Sequence, residues 1–173
     1  MTRHLCAALL AGWLAGCATP VIDAVQERLD PETGTTVTRL ASPLELLAAA
    51  PRERDLDPFA WLAPFETNRM GVRATFLWVA TPGDTDATPV VRCGALTTRP
   101  ASAPLTPSAI GLVRPPYRLP AAWNREYLLP IDATWVECLA SGAALAVEIA
   151  RDRFASDGRR RGDLAQFAAR LAR

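Results

Sequence analysis

Two runs of period-two alternation, separated by a turn-forming tetrad, constrain this chain more than anything else in it. Phe59, Trp61, Ala63 and Phe65 alternate with Ala60, Leu62, Pro64 and Glu66. After Asn68-Arg69-Met70-Gly71, the residues Val72, Ala74, Phe76 and Trp78 alternate with Arg73, Thr75, Leu77 and Val79. A side-chain period of two belongs to extended backbone, so the pattern on both sides of a Gly-bearing turn predicts an antiparallel hairpin. Pro64 has no amide hydrogen to give to a ladder, so its strand is expected to be an edge or to carry a bulge there.

Further segments read as β structure. Val25 to Leu29 and Thr35 to Leu40 flank Asp30-Pro31-Glu32-Thr33-Gly34, where Pro suits the second place of a type I turn and Gly a left-handed closing residue. Ile22, Val25 and Leu29 also fit helical spacing, so a helix over Ile22 to Leu29 competes. Pro43 to Ala50 carries a short strand through Leu44, Leu46 and Leu47, while Pro51 to Pro58 and Pro82 to Pro89 read as polar loops. Val90 to Leu96, Tyr127 to Ile131 and Thr134 to Leu139 read as strands. Six prolines between Pro100 and Pro120 forbid long regular structure, and a surface loop or extended edge is expected there. In Ala143 to Phe154 the alternation of Leu145, Val147 and Ile149 favours a strand over the helix that the alanines favour. One helix is expected, opened by Asp163 with Gln166 as its capping-box partner and presenting Leu164, Phe167, Ala168 and Leu171 on one face. The sum is a mainly β fold, a two-sheet antiparallel sandwich of general or immunoglobulin-like type, with one C-terminal α-helix.

The start of the chain has a different character. Thr2, Arg3 and His4 precede an apolar run from Leu5 to Leu14, too short to span a bilayer, and Leu14-Ala15-Gly16-Cys17 follows. These residues resemble a lipoprotein signal sequence with its lipobox. The resemblance implies a signal peptide over residues 1–16, a lipidated tether over 17–21 beginning at an acylated Cys17, and a single globular domain over 22–173. Ala18, rather than aspartate, after the cysteine points to the outer membrane, facing the periplasm. Three acyl chains at about 0.8 kcal/mol per buried CH₂ give effectively permanent anchorage, so the lipid bilayer is one expected partner. The competing reading is an ordinary signal peptide cut near Ala18.

Composition narrows the chemistry. All 19 basic residues are arginine, and His4, the only histidine, lies in the signal segment. From Cys17 onward the chain has neither histidine nor lysine, which excludes Ser-His-Asp and Cys-His catalysis, Schiff-base chemistry and P-loop phosphate binding. With Arg3 removed, 18 arginines face 18 acids, a balance that argues against general nucleic-acid binding. The charge is uneven: residues 17–66 carry nine acids and four arginines, and 151–173 carry seven arginines and three acids. A solvated basic surface is the simpler account of that C-terminal excess, and contact with anionic lipid or cell-wall polymer the alternative.

Candidate site residues are few. Cys93 and Cys138 both lie in strand-like segments, and in an oxidising compartment they are expected to form a disulfide, the alternative being two separate buried thiols. Glu66, Asp84, Asp86, Asp132 and Glu137 are formal candidates for acid/base hydrolysis, but nothing in their spacing selects a pair. Trp61 and Trp78 sit on the apolar side of the hairpin and read as core. Tyr117 and Trp123, in or beside the proline-rich stretch, are the candidates for ligand recognition, with structural covering of a sheet edge as the alternative. No cofactor, metal site or catalytic group is expected, and the reading is of a non-catalytic accessory or binding module, with an envelope protein as its further partner. A carboxylate-based hydrolase of envelope polymer and a lipid-binding protein are the alternatives.

Finally, the segment from Leu29 to Thr38, with Phe65 to Gly71 and Leu77-Trp78-Val79-Ala80, resembles a group of short, uncharacterised proteobacterial lipoproteins. The likeness covers about the first half of the chain after Cys17 and carries no activity with it.

Overall fold

The computed structural model describes residues 23–49, 59–83, 87–120 and 124–173. At its centre is the expected hairpin, β4 (Phe59–Arg69) and β5 (Val72–Thr81), paired in register from Arg69 with Val72 to Trp61 with Ala80. The turn is two residues, Met70 at φ 52° and Gly71 at φ 85°. Positive φ at both central positions matches the twist of the flanking strands.

Before this hairpin come β1 (Val25–Asp30), β2 (Thr35–Leu40) and β3 (Leu44–Ala48), and after it β6 (Val90–Cys93), β7 (Leu96–Thr98), β8 (Arg125–Ile131), α1 (Ala133–Ala140), β9 (Leu145–Ile149), β10 (Asp152–Ala155) and α2 (Arg161–Leu171). All described strands belong to one antiparallel sheet, curled as a half-barrel. The expected division into two sheets is not formed, because β4 holds both branches together. Its C-terminal half pairs β2, and through it β1; its N-terminal half pairs β3, which leads on through β10, β9 and β6 to β7. β5 takes the other edge of β4 and passes it on to β8.

Pro64 explains how two strands share one edge. Its strand is central, so the edge expectation fails, but the irregularity predicted with it is present on the partner side. Pairing with β2 ends at Arg39 with Phe65 and resumes with β3 at Leu44 with Leu62, so residues 40–43 pass opposite only Ala63 and Pro64. In a two-residue hairpin Arg69 and Val72 form a hydrogen-bonded pair, and alternation from Arg69 points the main-chain polar groups of residue 64 away from β5, toward this gap. A proline is tolerated there because no donor is needed for the β5 ladder.

The strands have two apolar faces. On one, Leu62, Leu77, Val79, Leu129, Val147 and Phe154 pack with Trp135 and Leu139 of α1 and Leu164 and Phe167 of α2. On the other, Phe65, Phe76, Trp78 and Leu128 are covered by Leu105, Ile110, Leu112, Tyr117 and Leu119 of the proline-rich segment. That segment is irregular and largely exposed, as expected, and its buried side chains also make it a strap over the sheet, with one 3₁₀ turn at Ser108–Ile110 closed by left-handed Gly111. A Cβ at Gly111 would lie 3.1 Å from Thr35 Oγ1, so close strap contact also selects glycine there.

Three other expectations are corrected. Thr134 to Leu139 is helical, because Asp132 Oδ1 accepts the Trp135 amide at 3.0 Å and caps the helix, while Trp135 and Leu139 bury one face at i, i+4 spacing. The β-branched and aromatic residues that suggested a strand are outweighed by that cap and that burial. Val90 to Leu96 breaks at Gly94, φ 56°, into the hairpin β6–β7. The C-terminal helix starts at Arg161, so Asp163 does not cap it; Asp163 stands in the first turn and accepts Arg160 Nε at 2.6 Å. By contrast, the strand reading of Ala143 to Phe154 holds as the hairpin β9–β10, and Val25 to Leu40 is the hairpin β1–β2.

Cys93 and Cys138 form a disulfide that ties β6 to α1 across 45 residues. Constraining an unfolded loop of that length contributes about 4 kcal/mol in the chain-entropy model, so Cys93→Ala/Cys138→Ala should lower urea-measured stability by about that amount. At the hairpin tip, Gly71→Val places a β-branched residue at positive φ and should cost about 1–2 kcal/mol. Met70→Asn, which suits the left-handed conformation, should raise stability in the same assay. An unchanged midpoint for Gly71→Val would contradict the turn assignment.

Candidate functional site

On the strap-covered face, the strap and the β1–β2 hairpin enclose an open groove of about 990 Å³, with Glu126 of β8 also in its lining. Its volume lies at the upper end of ligand clefts, roughly 300–1,000 Å³.

Asp30, the last residue of β1, joins the two walls. Oδ1 accepts the amides of Glu32 at 3.0 Å and Thr33 at 3.4 Å, an Asx-type turn, and Oδ2 accepts the amide of Val113 in the strap at 3.2 Å. The Val113 amide, followed by those of Glu32 and Thr33 and the charge of Arg28, holds the Asp30 carboxyl below its ordinary range against a smaller opposing effect of burial. The stability from this tie is present above the ordinary value of 3.8 and is lost as pH falls through the lowered one.

Tyr117 fastens the strap at its other end. Its ring packs against Trp78 at 5.1 Å between centroids, and Arg39 lies over it with Cζ 4.9 Å from the centroid. Arg39 Nη1 also donates to the Pro116 carbonyl. Burial pushes the Tyr117 phenol well above its ordinary value of 10, so it remains a donor at any working pH, and its hydroxyl donates to the Leu40 carbonyl at 3.0 Å. Alternation from Ala41, whose amide bonds to Ala24 of the β1 side, points the Leu40 carbonyl toward β4, where the continued register would set Pro64 opposite it. Tyr117 thus supplies the hydrogen that Pro64 cannot.

These contacts give Tyr117 a structural role within the lining of the groove. Its ring is engaged by Trp78 and Arg39 and its hydroxyl by Leu40, leaving it 6% exposed at the base of the groove. Trp123, the second candidate, lies outside the described residues, as do Cys17, Asp84 and Asp86. Of the other carboxylates, buried Glu66 accepts Arg73 Nε at 2.9 Å, Asp132 caps α1 and Glu137 is exposed on α1. Trp78 is buried in the strap-covered core, and half-buried Trp61 packs against it.

The sequence reading missed the groove residues proper. Arg28, Arg114 and Arg118 are exposed in its lining and form no ion pair among the described residues. Arg28 has a legible signal, since pairing with Val37 sets it on the strap side of β1; the strap arginines have none, because no periodicity runs through the prolines. Glu126 was also missed. Its Oε2 accepts Trp78 Nε1 at 2.9 Å, and burial raises its carboxyl above the ordinary 4.5, partly offset by that bond. A raised folded value means that stability is lost as pH rises from about 4.5 through it. Glu126→Gln, which retains an acceptor for Trp78, should remove this loss. Urea titrations of wild type and variant at closely spaced pH values above 4.5 should show the two curves diverging as pH rises; parallel curves would contradict the assignment.

No family model, no curated protein sequence and no solved structure matches this chain.

Proposed function

We propose that the protein is a non-catalytic accessory or binding module of the bacterial cell envelope, held through acylated Cys17 in the outer membrane and facing the periplasm. The observation that carries this reading is the Cys93–Cys138 disulfide, which suits an oxidising compartment, taken with the lipobox-like Leu14-Ala15-Gly16-Cys17. Kinship with the short proteobacterial lipoproteins that the hairpin segments resemble belongs to the same proposal.

A binding role is supported by the use made of the polar groups. Glu66, Asp30 and Asp132 are committed to structural bonds, whereas Arg114 and Arg118 form no ion pair among the described residues and, with Arg28, whose charge acts on Asp30, stand exposed around an open groove. A module of this kind acts by holding a second envelope component near the membrane, and anchorage raises its effective concentration there. The expected partners are the bilayer, through the lipid, and an envelope protein, through the groove.

In-cell crosslinking and pull-down of the tagged protein from membranes, beside Cys17→Ser, tests the proposal. The expected result is a discrete protein partner recovered with wild type and lost or weakened with Cys17→Ser, together with a mass shift of the N-terminal peptide by its acyl groups. Unchanged mass and fractionation in Cys17→Ser would refute the anchor, and recovery of bulk lipoproteins alone would refute the accessory role.

A further inference from the structure

We propose that the groove between the β1–β2 hairpin and the strap is a docking site for an extended, acidic segment of a partner protein. This deepens the accessory-module reading and rests on it.

Charge complementarity is the first argument. Four arginines and three acids line the groove, but the acids are not equivalent to the arginines in availability. Asp30 is saturated by three backbone amides, and Glu126 is half-buried with an oxygen occupied by Trp78. Glu32 remains as the exposed acid of the rim. Against it stand exposed Arg28, Arg114 and Arg118, without ion partners among the described residues, and Arg39, which is fixed beside Tyr117 and the Pro116 carbonyl. Unpaired guanidinium groups at the rim of a cleft attract carboxylates and can bind them with two parallel hydrogen bonds.

Shape and spacing distinguish the occupant. The arginines surround a concavity, which a flat bilayer cannot enter to reach its base, while an extended chain can lie along it. The interspersed Glu32 would repel a uniformly charged polyanion, but a peptide whose acids are separated by neutral residues can pass it. Pro115 and Pro116 give the strap wall apolar rings and no amide donors, so the neutral residues of a peptide can pass between its arginines.

The test uses full-length lipidated protein in neutral detergent, with fluorescence anisotropy of four probes. These are a fluorescein-labelled (Glu-Ala-Ser)₅ peptide, its (Gln-Ala-Ser)₅ analogue, labelled polyphosphate and labelled phosphatidylglycerol vesicles. The acidic peptide should bind best, more weakly as salt rises, and Arg114→Ala/Arg118→Ala should reduce its affinity about tenfold. Arg151→Ala/Arg173→Ala, at exposed positions outside the groove, should leave it within about twofold. The proposal is overturned if the glutamine analogue binds equally, if the groove variant binds the acidic peptide like wild type, or if polyphosphate or vesicles bind more tightly. Failure here beside a discrete in-cell partner would remove only the acidic-segment proposal, whereas peptide binding without any cellular partner would remove the accessory role.

Discussion

A missing hydrogen organises this fold. Pro64 lies in the central strand of the sheet, where a residue would normally bond on both edges of its strand through alternate positions, and it has no amide hydrogen for the β2 side. The ladder from β2 stops at Arg39, the chain takes two extra residues through Ala41–Pro43, and β3 begins a new register along the same edge. That break lets β2 lead out to β1 while β3 leads out to β10, so a single sheet branches and curls. The Leu40 carbonyl is left facing the gap, and an unpaired buried carbonyl costs about 1–3 kcal/mol. Tyr117 answers it from the opposite layer, and in doing so fixes where the strap crosses the sheet.

The groove follows from the same constraint. With Tyr117 pinned at Leu40 and Val113 pinned at Asp30, the strap between them is held at two points to one hairpin. Its arginines are thereby presented on a segment that is anchored but has no regular hydrogen-bond ladder of its own. Arg39 is held beside Tyr117 and Pro116, a positioned cation with its guanidinium over an aromatic face. Structural carboxylates are consumed in building this frame, and the guanidinium groups at its rim are not.

Much of the sheet was legible because period-two alternation is a direct image of extended backbone, and glycines or polar residues stand at the tight turns. The β4–β5 and β1–β2 hairpins and the ambiguous Ala143–Phe154 segment all follow that rule. The architecture was not legible, since one sheet or two depends on which strands share the edge of β4, a long-range pairing that leaves no local pattern. Helix α1 was hidden by strand-favouring Thr134, Trp135 and Val136, although Asp132 before Trp135 and Leu139 was a usable capping signal. Tyr117 stood out in the sequence, but its structural partners did not. Its neighbourhood of prolines suggests exposure, while its partners, Trp78 and Leu40, come from strands far away in sequence.

The most direct test of this account is a double-mutant cycle of Pro64→Ala and Tyr117→Phe, measured by urea unfolding. If Tyr117 replaces the hydrogen that Pro64 lacks, Tyr117→Phe costs about 1–3 kcal/mol in wild type and distinctly less with Pro64→Ala, whose new amide can reach the Leu40 carbonyl, a coupling of about 1 kcal/mol. Strictly additive costs would mean that the two residues act independently, and the strap would need another explanation for its place on the sheet.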